Sequence, residues 1–414
     1  MASRLPAYAL FAAFLASAGL PLYIHAPKFY VDEYNVSLSA LGSALFVLRL
    51  LDVIQDPLLG RLADRMRAWR GVSVVLAGSL MISAMLGLFA VKPLFDPLWW
   101  FAVMLTVVFS CFSYLTICFY AQGVAKAARL HDQGHLRLAR WRETGALLGI
   151  CAAAVAPVAL GGYGWFATAF AILACVALWA MRPEWQAGTL ESAGFAAVLQ
   201  DRVARQLLFV ALVNAAPVAV SSTLFLFFVE SRLQAPGWEG PFLLLFFLSA
   251  AVAAPVWGRM AERFGAKPVL LGAMVLSIIA FASAVLLEAG DLWPFAIICI
   301  ASGAAIGADM TLLPALFAAR MEKVSPGASE GFGLWSFVSK FTLALAAVLL
   351  LPTLELGGFK AGQDNPDHAL ILLSYLYAGV PCLLKLVAIA LLAAIQMNQQ
   401  ASDHPGFVER RLNQ

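Results

Sequence analysis

The sequence predicts an all-α membrane protein of twelve transmembrane helices in two groups of six, with both termini cytoplasmic. Three observations predict it. Of 414 residues, 62% are hydrophobic and only 12% charged, with a mean hydropathy of +0.85, which leaves too little polar residue to cover a water-soluble globule of this length. Apolar stretches of roughly 20 residues, long enough for a hydrocarbon core of about 30 Å, recur from end to end with charges confined between them. Their hydrophobicity is continuous rather than alternating, which selects helices over barrel strands.

The predicted spans are 6–27, 38–59, 71–91, 98–121, 143–162, 164–181, 206–229, 241–258, 268–288, 292–318, 332–352 and 370–396. The first passes through Ala16-Ser17-Ala18, which looks like a signal-peptidase site, yet stays apolar to about Ile24 and so reads as an uncleaved helix. The second is the exception to apolarity, because it holds Arg49, Asp52 and Asp56. Spans three to six begin or end at Arg70, Lys92, Lys126, Arg142 and Arg182. The seventh follows Arg205, the eighth stops at Gly258-Arg259, the ninth follows Lys267, the tenth precedes Arg320, the eleventh follows Glu330-Gly331, and the twelfth runs to Gln396.

Orientation follows from the basic residues, which are retained on the cytoplasmic side when they lie in short loops. Arg61, Arg65, Arg67 and Arg70, then Lys126 to Arg142, Arg182 to Arg205, Arg259 to Lys267, and Arg320 with Lys323 fall on one side; Lys28, Lys92, Arg232 and Lys360 fall on the other. Arg49, Lys340 and Lys385 remain inside spans. The formal net charge of +3 is accounted for by this bias and gives no reason to expect a nucleic-acid partner. All six cysteines sit in spans, where they read as reduced packing residues. The expected setting is a bacterial inner membrane, and the expected state a monomer embedded in lipid.

The longest polar connection separates six spans from six, giving an N-terminal bundle at 1–182, a cytoplasmic central loop at 183–205, a C-terminal bundle at 206–396 and a cytoplasmic tail at 397–414. A repeated segment supports the division. Pro57-Leu58-Leu59-Gly60-Arg61-Leu62-Ala63-Asp64-Arg65 follows the second span, and Pro255-Val256-Trp257-Gly258-Arg259-Met260-Ala261-Glu262-Arg263 follows the eighth, in register 198 residues later. Glycine permits close packing there, and arginine can reach the headgroups.

The three charges in the second span are costly, about 2.5 to 3.5 kcal/mol each on insertion scales, so each needs a partner or a task. Spacings of three, four and seven place Arg49, Asp52 and Asp56 along one helical face. Two carboxylates one turn apart make a hard oxygen site for Na⁺, or for a proton held where one acid raises the pKa of the other. The positions 198 residues on are Ala250 and Ala254, so the second copy of the repeat folds without acids there. Other polar residues within spans are candidates for a solute cavity: Tyr23, His25, Tyr114, Tyr120, Arg142, Asn214, Asp309 and Trp335. Asp309 lies deep in an apolar run and requires a partner from another helix, such as Arg142, or a protonation role.

The Gly60-Arg61-Leu62-Ala63-Asp64-Arg65 segment and its copy resemble the conserved loop of the major facilitator superfamily, across the whole chain. In that family it acts as a cytoplasmic latch during alternating access, which implies a gating role for Gly60, Arg61, Asp64, Arg65, Gly258, Arg259, Glu262 and Arg263. Arg49-x-x-Asp52-x-x-x-Asp56-Pro57 is similar to the second-helix motif of the glycoside-pentoside-hexuronide:cation symporters, the melibiose-permease-like branch. Ser329 to Lys340 is similar to that branch's eleventh-helix pattern, and Arg142, seven residues before Gly149, to its fifth-helix arginine. The resemblance implies that Asp52 and Asp56 bind the coupling Na⁺ or H⁺, with Lys340 as a charge partner close to that site; Arg49, on the same helical face, is a further charge partner that would orient the acids. The branch's sugar-binding acids should fall near Ala16 and Ile117, which are apolar here.

These readings imply a cation-coupled symporter of a small organic solute, with a sugar or glycoside among the candidates, no cofactor, and no metal beyond Na⁺. The alternatives are a proton-coupled exporter or lipid-type carrier and, from another class, a membrane sensor or enzyme. Gly327-Ala328-Ser329-Glu330-Gly331 satisfies a hydrolase nucleophile pattern but joins two membrane spans instead of following a strand. His131 and His135 lie in a polar loop interrupted by Gly134 and make a poor metal site. There is no phosphate-binding loop of the Gly-Lys-Ser/Thr type for direct ATP drive.

Overall fold

The computed structural model describes residues 4–130, 133–185, 194–360 and 365–396. The tail at 397–414, residues 186–193 of the central loop, and His131 lie outside the described residues, as does the side chain of Tyr23.

Fifteen α-helices are described: α1 (Leu5–Ser17), α2 (Leu20–Tyr34), α3 (Leu38–Arg65), α4 (Arg70–Phe89), α5 (Pro97–Ala127), α6 (Gly134–Ala159), α7 (Tyr163–Met181), α8 (Gly194–Gln200), α9 (Arg202–Phe227), α10 (Glu239–Phe264), α11 (Ala266–Ser283), α12 (Leu292–Val324), α13 (Ser329–Leu356), α14 (Asp367–Ser374) and α15 (Val380–Ala394). A π-helical turn, Tyr375–Gly379, joins the last two. Among the described residues, ten helices are long and apolar enough to cross a membrane. α3 matches them in length but carries Arg49, Asp52 and Asp56.

Two boundaries differ from the sequence expectation. The first span is a broken helix, parted at Ala18 and Gly19, because Pro21 at the start of α2 has no N–H to continue the ladder. The second difference concerns the repeated segment: Gly60 to Arg65 and Gly258 to Arg263 are the closing turns of α3 and α10, not a loop. Their helices run on until Met66 and until Gly265, whose φ of 91° only glycine adopts easily.

Caps set several starts. Ser37 accepts from Ala40 N at the head of α3, Asp96 accepts from Leu98 N and Trp99 N before Pro97 opens α5, and Asp201 accepts from Ala204 N at α9.

Three large hydrophobic cores, and a small one of Leu147, Ala250, Ala251 and Ala254, hold the helices. One draws only on residues from α1 to Trp185, and another only on residues between Ala219 and Ala378. The third is built mainly from α9, α11, α12, α13 and α15 but includes Ala121 and Val124 of α5. Close packing within each group uses glycine pairs four residues apart. Gly145 and Gly149 of α6 lie directly against the backbone of Ala9 and Ala13 in α1; Gly303 and Gly307 of α12 lie against Phe246 and Ala250 in α10. All six thiols are free.

Candidate cation site and its surroundings

α3 from the first group and α13 from the second cross where neither presents a side chain. A methyl group on Gly60 would sit 3.2 Å from Ser329 O and 3.3 Å from Gly333 Cα, and one on Gly333 would sit 3.1 Å from Asp56 O. One and two turns from Gly60, α3 turns Asp56 and Asp52 toward α13. Pro57 cannot donate, so the ladder is interrupted beside these acids.

Lys340 of α13 reaches both acids. Its Nζ lies 2.7 Å from Asp52 Oδ1, 3.1 Å from Asp56 Oδ1, 3.0 Å from Asp56 Oδ2 and 2.6 Å from Ser113 Oγ of α5. Around it, Ser113 and Gln55 donate to Asp52 Oδ1 at 3.1 Å each, Ser110 donates to Gln55 Oε1 at 2.8 Å, and Ser336 donates to Asp56 Oδ2 at 2.5 Å. Asp56 is fully buried and Asp52 is 4% exposed. Arg49, three residues before Asp52, is half-buried. Within hydrogen-bond reach of one another stand two carboxylates, two hydroxyls and one ammonium: a cage of hard oxygens closed around a single positive charge. Gln55, Ser110, Ser113 and Ser336 were not among the sequence candidates, although Gln55 lies three residues from Asp52 and Ser336 four from Lys340.

A second buried cluster lies toward the end of the molecule that carries most of the basic residues. Arg142 Nε donates to Glu143 Oε1 at 2.6 Å, Tyr120 OH donates to the same oxygen at 3.0 Å, and the guanidinium lies 3.8 Å from the centre of the Tyr120 ring. Tyr120 also meets Phe332 of α13, with ring centroids 5.0 Å apart.

A third cluster accounts for Asp309. Its partner is Lys385 of α15, not Arg142, and the ammonium also donates to Asn214 Oδ1 at 2.7 Å. Lys385 was outside the sequence candidates although its charge inside a span was plain.

The other candidates fall elsewhere. His25 Nε2 lies 3.2 Å from Ala154 O and its ring packs on Tyr163 and Phe166, within the first group of helices. Tyr114 is buried in the core of that group, and Trp335 packs on Phe317 in the second.

Around the repeated segment, the basic end is joined by polar contacts between the groups. Arg140 of α6 pairs with Glu262 at 3.1 Å and lies over Gly258; Gln133 donates to Glu262 O at 2.5 Å; His135 meets Glu322 at 2.6 Å; and Arg70 donates to Ser329 Oγ at 3.1 Å. Arg61 lies over the Phe195 ring at 4.8 Å, and Asp64 pairs locally with Arg67 at 3.5 Å. Arg65 and Arg259 are exposed, and Arg263 lies over its neighbour Phe264. Among the described residues no group of three or more His, Cys, Asp or Glu side chains gathers as for a transition metal.

Residues 6–399 match the family model described as MFS/sugar transport protein. The chain belongs to this family. It is therefore a membrane transporter of the major facilitator superfamily and not an enzyme. Among solved structures it is similar to the human organic anion transporter MFSD10 (TETRAN), with 17% identity over 94% of this chain and 98% of that one and a TM-score of 0.61. It is likewise similar to a bacterial homologue of the iron transporter ferroportin in an outward-facing state with soaked iron, with 12% identity over 94% and 99% of the two chains and a TM-score of 0.67. At these identities the likeness is one of fold. No curated protein matches the sequence.

Proposed function

We propose that this major facilitator protein is a secondary active symporter that moves a small organic solute together with Na⁺ or H⁺. Twelve membrane crossings in two six-helix bundles, 1–182 and 206–396, would rock about the α3 and α13 crossing, with α1 and α2 together making the first crossing, α3 the second, and both termini in the cytoplasm. The reading places the protein in a bacterial inner membrane as a monomer.

One observation carries the proposal: the Lys340 ammonium, brought by one bundle, occupies the oxygen cage that the other bundle builds from Asp52, Asp56 and Ser113. An ammonium in that position stands where a coupling cation would. When Na⁺ enters or an acid is protonated, Lys340 loses its partners and the charge tie between α3 and α13 weakens. The cation thereby binds the two arrangements with different affinity, which coupling requires. Arg140 with Glu262 and the other contacts of the basic end support a latch that keeps the cytoplasmic side shut until the tie is released.

The test is gradient-driven solute accumulation in proteoliposomes, read with wild type, Asp52→Asn, Asp56→Asn and the double variant under imposed Na⁺ and pH gradients. The expected result is that each single variant loses accumulation while facilitated exchange survives. Unchanged accumulation in the double variant at every Na⁺ and pH setting would sink the proposal.

A further inference from the structure

Of the charged side chains buried among the described residues, Asp52, Asp56, Arg142, Glu143, Asp309 and Lys385 each meet an opposite charge. Arg70 is the exception. It opens α4 at the basic end, is 5% exposed, and forms no ion pair among the described residues. Its Nη2 donates to Ser329 Oγ at 3.1 Å, and its Nε is buried with no hydrogen-bond partner. The acids closest in sequence to Arg70 and Ser329 are directed elsewhere. The first turn of α4 holds none, Asp64 pairs with Arg67 at 3.5 Å, and Glu330 points its Oε2 at Gly194, where an added methyl group would lie 3.7 Å from it.

A second donor is unused in the same place. Tyr114 of α5 is 7% exposed and ends in a buried hydroxyl without a hydrogen-bond partner, and Arg70, Ser73 and Cys118 stand around it. Ser73 already donates to Arg70 O at 3.0 Å. Neither it nor a thiol brings negative charge. α13 starts at Ser329 with no side-chain cap, so the positive end of that helix adds to the charge of the guanidinium. A charge withheld from water with no counter-charge is strongly destabilising, and two idle donors in one cluster describe the place of a bound anion.

The geometry points to a binding site for a small inorganic anion, chloride or phosphate, held by Arg70 Nε and the Tyr114 hydroxyl where α4 and α5 meet the start of α13. The ligand is a free ion and not a lipid headgroup, because both donors are buried in protein while the exposed flank of α4 carries Val72, Val75 and Leu76. Arg70 and Tyr114 belong to the first bundle and Ser329 to the second, so the site is whole only while the basic end is closed. An anion there binds the closed arrangement more tightly and so favours it. Only this consequence rests on alternating access; the site itself does not.

The experiment is thermal unfolding of the purified full-length protein in choline buffers of fixed neutral pH and ionic strength, in which gluconate, a bulky anion, is replaced stepwise by chloride or by phosphate. A separate titration adds phosphatidylglycerol. The variants are Arg70→Gln, which removes the charge, and Tyr114→Phe, which keeps the charge and the ring and serves alone if Arg70→Gln does not fold. The expected result is a saturable rise in Tm with chloride or phosphate but not with gluconate, its half-saturating concentration raised about tenfold or more by Arg70→Gln and about threefold or more by Tyr114→Phe. Spin labels on α4 and α13 should move toward the shorter distance over the same concentrations. Equal Tm in the three anions overturns the proposal, as does a half-saturating concentration that neither variant changes, or a rise that only the lipid produces. A label distance indifferent to the anion would overturn its link to closure. Na⁺, solute and gradients are absent throughout, so a failure of cation coupling in proteoliposomes would leave this result as it is.

Discussion

Lys340 shows how one side chain can join two bodies. Its ammonium spans carboxylates that would otherwise face each other in an apolar interior, and removing one partner of such a buried pair typically costs about 3 to 5 kcal/mol. Lys340→Met is therefore expected to lower the melting temperature in the absence of cation, and added Na⁺ or lowered pH should recover more stability in the variant than in wild type, because the cage then has no resident charge to displace. Equal recovery in both proteins would argue against competition between lysine and cation. Asp52 and Asp56 were legible in the sequence as charges in an oily span that demand a partner, and it was the resemblance of Ser329 to Lys340 to an eleventh-helix pattern that put Lys340 beside them. Their polar neighbours were not legible. Ser113 and Ser336 look like any serine in a membrane helix, and only the crossing of α3, α5 and α13 shows what they touch.

At the scale of elements, glycine decides how closely helices approach. Gly60 and Gly333 let α3 and α13 meet backbone to backbone, and a side chain on either would press on main-chain atoms that cannot swing aside. Gly60→Val or Gly333→Val is expected to hold the basic ends of the two bundles apart, which paired spin labels on α4 and α13 would register as a longer distance than in wild type. The Gly145, Gly149 and Gly303, Gly307 pairs obey a readable four-residue rule, yet the sequence reading passed over them because their apolar surroundings drew attention to hydropathy alone.

The start of α9 offers a separate test. Asp201 caps this helix and pairs with Arg320 of α12; burial raises its pKa, but the hydrogen bond from Arg320 and the backbone donors outweigh that and hold it below the ordinary aspartate value. Its folded-state pKa being depressed, its stabilisation is present above the unfolded value of about 3.9 and is lost as pH falls through the folded one. Asp201→Ala should cost about 1 to 2 kcal/mol near neutral pH, and the gap from wild type should shrink in acid. A gap independent of pH would assign the loss to the cap geometry alone.

For the whole molecule, the polar contacts between the two groups of helices concentrate toward one end, from the Lys340 cage to Arg140, His135 and Arg70. Arg140→Ala and Glu262→Ala are expected to shift the resting population toward an open basic end by similar amounts, and the double variant by no more than either alone, as cysteine-labelling rates at Phe332 and Tyr120 would report. Additive effects would mean the two residues act separately. The helical, two-part character of the chain was legible from continuous hydrophobicity and from the spacing of charged breaks. The break in the first span was not read, although Gly19 and Pro21 mark it, because an apolar window averages over a missing hydrogen bond.

That break divides labour within a single segment. α1 is seated on α6 through Gly145 and Gly149, while α2 leans on a separate aromatic stack of Phe29, Phe89 and Tyr163. With the ladder cut at Ala18 and Gly19, tilting of α2 need not prise α1 from its seat. The segment can work like a door on a fixed post, swinging at one end while the other carries the frame.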